Sequence, residues 1–352
     1  MALPPSPSSG EPVVRTVCGD RPASDFSSVL VHEHVLFDIA PVGSDASCSA
    51  PIAMQTRWQT DYRSNENPTN ASQQDWNIAA DELLALKDDG GDLIVDQSTH
   101  GLKRDAMGLQ SVSQRSGCSV VAAAGTYTSA YLDATTQAMD VEALTERFIR
   151  EVTVGLDGTD IKAGIIGEIG CSWPLEPVER RALQAAARAS LRTGAGISIH
   201  PGRDHDAPFE IVAILEAEGA DISRCVICHM DRTYPDGDGP LVLARTGVMV
   251  EWDFFGIETS HYWMGDVELP TDRGRLREIR GLFDAGLETN VLISQDICTR
   301  TRLQSFGGHG YGHIPRNVQP LMARVGFDAD EIDQLVRINP LSLLAFSPET
   351  SV

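Results

Sequence analysis

Positive charge is scarce in this sequence. Its 352 residues carry 28 Lys and Arg against 50 Asp and Glu, which gives a formal net charge of −22. Only three of the cations are lysines, Lys87, Lys103 and Lys162. Recognition of a phosphate backbone needs clustered Lys and Arg, so this composition argues against binding to nucleic acid.

Long hydrophobic runs and a secretory signal are also lacking. The longest apolar runs, such as Val120–Ala124, fall far short of the ~20 residues that a membrane span needs. Met1–Gly10 is rich in Pro and Ser, without the basic and apolar regions of a signal peptide. Seven cysteines in a chain of this length do not form a disulfide framework. We therefore expect a cytoplasmic protein that binds no membrane, with a disordered tail over residues 1–13.

Short β-rich runs alternate with helix-like stretches along the rest of the chain. The predicted strands are Val29–Val35, Leu93–Ser98, Ser119–Ala124, Gly164–Ile169, Ala195–His200, Arg224–His229, Gly247–Asp253 and Asn290–Asp296. The predicted helices are Gln73–Lys87, Met107–Arg115, Met139–Glu151, Pro177–Thr193, Phe209–Glu218 and Leu276–Ala285.

Eight strands alternating with helices indicate an α/β fold of the (β/α)₈ TIM-barrel type. A doubly wound sheet is the alternative, but no G-x-G-x-x-G follows the first strand. No linker divides residues 14–352, which we predict to be a single domain. Phe37–Asn70, after strand 1, is predicted by composition to be a long loop.

Polar residues mark five of the predicted strand ends. They are His32, His34, Glu168, His200, His229 and Asp296, at the ends of strands 1, 4, 5, 6 and 8. Catalytic groups of such barrels lie at the carboxyl ends of strands. Four imidazoles and two carboxylates would be costly to bury together unless they bind a cation. Six ligands exceed the needs of one open catalytic metal site, and two metals ~4 Å apart would use them all.

These residues and their surroundings resemble the phosphotriesterase family of the amidohydrolase superfamily. The resemblance is carried by Val14–Gly19, Leu30–Val35, Gly164–Leu175, Ser294–Ile297 and Gly307–His313. Gly164–Leu175 is the most specific part, and it resembles the phosphotriesterase-related branch. The resemblance implies a binuclear centre in which His32, His34 and Asp296 hold the more buried metal, and His200 and His229 the more exposed one.

The residue between the two metals departs from the pattern of phosphotriesterases proper. Those enzymes use a carboxylated lysine at the end of strand 4, where this sequence has Glu168. Lys162 lies at the opposite end of that strand. Glu168 supplies a permanent carboxylate, as in the related branch, and this weakens any transfer of organophosphate activity. Nitrogen and oxygen ligands suit two divalent ions, with zinc first and Mn, Fe, Co or Ni as alternatives.

The resemblance points to a hydrolase that uses a metal-bridging hydroxide on the amide of a small N-acyl amino acid. Asp296 would transfer the proton, and Tyr127 would contact the substrate or the hydroxide. Cationic or N–H groups are needed for an anionic substrate, and the candidates are Arg203, Arg232, Arg300, Arg302 and His309. The arginines could instead pair with local acids such as Asp204, Asp206 and Asp231.

Two other functions stay open. A lactonase or organophosphate esterase of the same fold is favoured by aromatic residues around strand 7, namely Trp252, Phe254, Phe255, Tyr262 and Trp263. A metal-binding interaction protein without turnover is the second, although all six ligands are present. We also expect the protein to form a homodimer.

Glu251 and Asp253 can both face inward from strand 7, but no metal role is left for them.

Overall fold

Eight parallel strands form one sheet in the computed structural model, which describes residues 10–45, 51–64, 67–235, 237–258 and 261–347. The strands are β1 (Val29–Glu33), β2 (Leu93–Asp96), β3 (Ser119–Ala124), β4 (Ile165–Gly170), β5 (Ile197–His200), β6 (Cys225–Ile227), β7 (Met249–Trp252) and β8 (Val291–Ile293). They lie side by side in chain order from β1 to β8. The Asp296 N–H donates to His32 O at 3.0 Å, which joins the last strand to the first. The predicted (β/α)₈ barrel is confirmed.

Helices cover the outside of this sheet. The described α-helices are α1 (Arg57–Tyr62), α2 (Trp76–Asp88), α3 (Ala106–Ser116), α4 (Ala134–Ala138), α5 (Val141–Thr153), α6 (Pro177–Thr193), α7 (Ala207–Ala217), α8 (Met230–Thr233), α9 (Gly239–Ala244), α10 (Asp272–Asp284), α11 (Gln319–Val325), α12 (Ala329–Asp333) and α13 (Asn339–Leu344). None of the described helices is long and apolar enough to cross a lipid bilayer.

Alternation along the strands divides the apolar residues between two cores. In β3, Val120 packs outward against the helices, and Val121 points into the barrel. The inner core fills the amino end of the barrel with side chains such as Val31 and Leu93. Phe26 and Leu344 belong to the same cluster and close this end. The polar strand ends therefore lie at the opposite end of an otherwise packed interior.

The short helices α4, α8 and α9 were not predicted, and two longer stretches also differ from the expectations. The segment after β1 is not loop throughout, because it contains α1 and a two-residue pairing of Phe37–Asp38 with Ser72–Gln73. The carboxyl-terminal helices α11 to α13 were not predicted, since their apolar residues are interrupted by two wider π-type turns, Ile314–Val318 and Gln334–Ile338. Residues 1–9 of the predicted tail lie outside the described residues, whereas its last residue, Val13, is paired with Phe346.

Candidate metal centre

The structure brings all six predicted ligand side chains to the carboxyl end of the barrel. They belong to β1 and the residues just after it, to β4 and β5, and to the turns after β6 and β8, and they are His32, His34, Glu168, His200, His229 and Asp296. Residues far apart in sequence thus meet because neighbouring parallel strands all end at the same rim.

Glu168 lies at the centre of this group. Its Oε2 is 2.9 Å from His200 Nδ1, 3.3 Å from His229 Nε2 and 3.6 Å from His32 Nε2. Its Oε1 is 3.7 Å from His34 Nε2. One carboxylate therefore faces all four imidazoles, as a group that bridges two cations must.

The second carboxylate, Asp296, lies on the His32 and His34 side of the cluster. Its Oδ1 is 3.2 Å from His34 Nε2 and 4.0 Å from His32 Nε2. His32, His34 and Asp296 each offer a ligand atom within 4.8 Å of the others, and so do His32, Glu168 and His229. The two sets share His32 and leave out His200, and a third set with the same spacing consists of His32, Cys228, Glu251 and Asp253.

The residues present fit a metal centre. His32 is fully buried, yet its Nε2 has no hydrogen-bond partner. A buried polar atom without a partner carries a desolvation cost. Nitrogen and oxygen donors around that atom are the ligand types that divalent transition metals accept, and a cation would satisfy it.

The electrostatics favour the metal-binding form at two of these side chains, Glu168 and His229. Burial on its own raises the pKa of Glu168, but the neighbouring His200 and His32 outweigh it and hold that pKa well below its ordinary value. Burial, together with the charge of Arg232, lowers the pKa of His229 well below 6.5. Glu168 is thus ionised and His229 neutral, which are the forms that ligate metals. Despite burial, neighbouring groups that include Glu168 and Asp296 raise the pKa of His32 and His34, so a cation would displace a proton there.

A glycine before Glu168 makes room for this arrangement. Gly167 has φ of +132°, and a Cβ there would lie 2.1 Å from Ser198 O on the neighbouring strand. Only glycine accepts both the backbone conformation and the close approach. The pairing of β4 with β5 shifts register at this point, between Ile166 and Ile169.

Two candidate ligands adopt the left-handed backbone region that non-glycine residues rarely enter. These are His229, with φ of +61°, and Asp296, with φ of +46°. Asp253 holds the first, since its carboxylate accepts from the His229 backbone N–H at 2.9 Å and from Nδ1 at 2.8 Å. Arg302 holds the second by donating to Asp296 O at 2.6 Å.

Three residues that orient the imidazoles were not among the predicted site residues. Asp253 fixes His229, Glu251 Oε2 lies 3.3 Å from His32 Nδ1, and Ser98 Oγ lies 3.0 Å from His34 Nδ1. Such partners fix the tautomer and leave the opposite ring nitrogen free for a metal. The sequence offered a signal for two of them, because the acids Glu251 and Asp253 stand two residues apart on strand 7. It does not show which side chains these acids contact.

Three of the remaining predicted site residues, Tyr127, Arg232 and Arg203, lie on the side of the cluster where His200 is found. The Tyr127 hydroxyl is 3.5 Å from His200 Nδ1, and Arg232 Nη2 is 3.2 Å from His200 Nε2. Arg203 donates to the Tyr262 hydroxyl at 3.0 Å. These three candidates therefore surround the more exposed side of the cluster.

The other three candidates have different surroundings. Arg302 donates to the backbone oxygens of Asp296 and Phe255. Arg300 lines a separate cavity of about 490 Å³ with Lys103 and Tyr131. His309 packs against His313 at 4.4 Å between ring centroids and donates from Nδ1 to Gly310 O. A substrate-binding role for these three stays a prediction.

Known proteins resemble this chain over nearly its whole length. The profile of the Phosphotriesterase family matches residues 12–344. N-acetyltaurine hydrolase of Homo sapiens is 40% identical over 341 residues, covering 95% of this chain and 98% of that protein. A phosphotriesterase-related protein of Nematostella vectensis is 38% identical over 347 residues, covering 95% and 99%. The crystal structure of a resiniferatoxin-binding protein from Rhodobacter sphaeroides aligns with a TM-score of 0.89 and 30% identity over 94% of each chain.

Proposed function

This chain belongs to the phosphotriesterase family and is a metal-dependent hydrolase that acts on a small-molecule substrate, and we propose that it cleaves the amide bond of a small N-acyl amino acid or an N-acetyltaurine-like compound. The observation that supports this substrate class is the 40% identity with human N-acetyltaurine hydrolase over 95% of the chain.

We propose that the six clustered side chains hold two divalent cations. His32, His34 and Asp296 would hold the more buried ion, His200 and His229 the more exposed one, and Glu168 would contact both. When bound, the two cations would lower the pKa of a water molecule towards ~7 and polarise the scissile carbonyl.

The chain's own groups then handle the protons. Burial raises the pKa of Asp296, but the hydrogen bond from His34 and the charge of His32 outweigh it and hold that pKa at about 2. Asp296 is therefore ionised, and in our proposal it accepts the proton of the attacking water and delivers it to the leaving nitrogen. Burial keeps the pKa of Tyr127 well above 10, so its hydroxyl stays protonated and can donate to the substrate.

The experiment that tests this function combines metal analysis with a substrate panel. Protein purified without added chelator should carry about two transition-metal equivalents per chain, and it should cleave N-acetyltaurine and short N-acyl amino acids. Chelation should abolish turnover, and added metal should restore it. Full activity of metal-free protein would contradict the metal mechanism, whereas faster cleavage of lactones than of any N-acyl compound would contradict the amidase assignment.

A lactonase or organophosphate esterase is the second candidate, and one contact favours it. The Phe254 ring lies 5.4 Å from the His229 ring and packs with Ile257 and Tyr262 in a small apolar cluster. That surface would suit an apolar acyl or ester group beside the metals. Trp252 and Phe255, in contrast, belong to the outer core and do not contribute to it.

We propose zinc as the metal, the cytoplasm as the location and a homodimer as the assembly. The ligand atoms are nitrogen and oxygen without thiolate, which suits zinc but also its divalent neighbours. The described cysteines are all free, as a reducing compartment would keep them. Met54 and Trp58 are exposed to 91% and 66%, and a second copy could cover them. Elemental analysis, cell fractionation and light scattering test these three points in turn.

A further inference from the structure

Two arginines beside the metal centre have no acidic partner among the residues that the structure describes. Arg232 follows His229 in α8 and is only 4% exposed. Its guanidinium donates to Pro201 O at 2.8 Å and to Thr233 Oγ1 at 3.3 Å, and both acceptors are neutral. Arg203 donates to the Tyr262 hydroxyl at 3.0 Å and lies over that ring, 5.4 Å from its centroid.

This arrangement is electrostatically unbalanced. Two cations that approach each other without an anion are destabilising, and a buried charge costs several kcal/mol unless it is paired. Two other arginines with buried side chains have acidic partners, Arg275 with Asp231 and Arg104 with Glu151, whereas the buried Arg302 donates to backbone oxygens.

The ring of His200 places Arg232 beside the ligand cluster. Its Nδ1 lies 2.9 Å from the ionised Glu168 carboxylate and donates to it, so Nε2 of the neutral ring is an acceptor. Arg232 Nη2 donates to that nitrogen at 3.2 Å. The three acceptors Pro201 O, Thr233 Oγ1 and His200 Nε2 are all neutral, so none of them compensates the charge of the Arg232 guanidinium. An anionic group of a substrate would compensate it.

The other candidate arginines lack these features. Arg302 already donates both terminal nitrogens to backbone oxygens, and its contact with Asp296 O makes it a positioning residue. Arg300 lies against the Phe306 ring, in a cavity that contains none of the six ligand side chains. Arg232 differs from both, because its guanidinium contacts the ring of a candidate metal ligand, His200, rather than backbone oxygens alone.

We propose that Arg232 and Arg203 form the subsite that binds the carboxylate or sulfonate of the substrate's leaving group, with Tyr262 holding Arg203 in place. This inference rests on the proposed amidase function. A planar guanidinium binds either anion through two parallel hydrogen bonds. Because Arg232 lies against His200 rather than at the rim, the subsite suits acids separated from the amide nitrogen by a short spacer.

A kinetic comparison of charged and neutral substrates tests the subsite. The substrates are N-acetyltaurine, N-acetyl-β-alanine and the neutral N-acetylethanolamine, each with a two-carbon spacer. Arg232→Met and Arg203→Met should raise KM for the two acids at least tenfold and leave KM for the neutral amide within about twofold. Arg188→Met removes one charge from the outer helix α6, where Arg188 pairs with Glu218, and should match the wild type. A longer spacer, as in N-acetyl-6-aminohexanoate, should weaken the acid preference.

A binding measurement provides a readout independent of turnover. Propanesulfonate, which cannot be hydrolysed, should bind the metal-loaded enzyme in calorimetry, and Arg232→Met should weaken that binding at least tenfold. Arg232→Lys keeps the charge without the planar fork and should fall between the two. If Arg232→Met loses metal or fails to fold, the Arg232→Lys and Arg203→Met variants carry the test.

The outcomes separate this subsite from the proposed function. Equal losses on charged and neutral substrates, or unchanged propanesulfonate binding in both methionine variants, would overturn the subsite. A selective loss in Arg300→Met alone would move it to the other cavity. If the wild type cleaves no N-acyl compound, the amidase function fails, while arginine-dependent propanesulfonate binding would still support an anion subsite.

Discussion

The two ends of the barrel interior are built from opposite chemistry. At the amino end, Val31 and Leu93 pack with Phe26 and Leu344 into a closed apolar core. At the carboxyl end, Glu168 faces four imidazoles, and His32 Nε2 lacks a hydrogen-bond partner. The amino end is packed without any ligand, and in our proposal cations complete the carboxyl end. The residues that stabilise the barrel therefore lie at one end of the eight strands, and the candidate catalytic residues lie at the other end.

The largest effect should come from removing the central charge of the polar end. Glu168→Gln keeps the shape of the side chain but loses the charge that balances two dications. We expect bound metal to fall from about two to at most one equivalent per chain and activity to fall by several powers of ten. Elemental analysis and steady-state kinetics measure both.

Its matched control is Glu218→Gln, since Glu218 is an exterior carboxylate that pairs with Arg188. This variant should keep both metals and full activity. Activity should also be independent of bicarbonate, because Glu168 needs no carboxylation. Full occupancy of both metals in Glu168→Gln would show that another group lies between them.

A substitution at the apolar end should change the stability of the protein and leave its activity unchanged. Leu93→Ala removes a fully buried side chain of the inner core and should lower the free energy of unfolding by about 2–5 kcal/mol. Metal content and activity per folded molecule should be retained. Denaturant unfolding followed together with metal analysis checks this, and a loss of metal in the folded variant would break the separation of the two ends.

A smaller effect is expected from a residue that supports a ligand without being one. Asp253→Asn weakens the double contact with His229, whose backbone has φ of +61°. Outer-shell partners of this kind typically contribute about 10–100-fold in metal affinity. Competition with a fluorescent chelator measures the change, and an affinity equal to that of the wild type would assign the fixing of His229 to other contacts.

The smallest effect concerns Glu278, a half-buried carboxyl outside the candidate metal centre. Burial raises the pKa of Glu278 to about 7, where it accepts a hydrogen bond from Trp252 Nε1 at 2.8 Å. The folded state thus holds this proton more tightly than the unfolded chain does, so its contribution to stability falls as pH rises from about 4.5 through 7.

Glu278→Gln should remove that slope, because the amide oxygen still accepts from Trp252 and carries no charge. The variant should melt a few degrees above the wild type at pH 8 and show little gain at pH 5. Thermal unfolding at both pH values measures the difference. An equal gain at the two pH values would rule out titration of Glu278 as the cause.

The sequence predicted the fold better than the shape of the site. Near-continuous apolar strands and intervening helices identify the barrel, and all eight strands occur where they were expected. Their ends were not predictable. The strand predicted over Asn290–Asp296 stops at Ile293, and the one predicted over Arg224–His229 stops at Ile227.

The reason lies in contacts between distant parts of the chain. His229 and Asp296 leave the sheet in left-handed conformations that Asp253 and Arg302 hold. Single-sequence patterns report periodicity and residue type, which located the six ligand-type side chains. They do not report which acid faces which imidazole, so Glu251 and Asp253 were set aside.

The closed amino end of the barrel also has a consequence for kinetics. Phe26 and Leu344 pack across the barrel axis at this end among the described residues, so we expect substrate and products to pass through the opening at the carboxyl end. Both products must depart by the route along which the substrate arrived. The fragment nearer this opening must leave first, and a slowly departing fragment excludes the next substrate. We therefore expect product departure to contribute to the turnover rate, as it does in many enzymes.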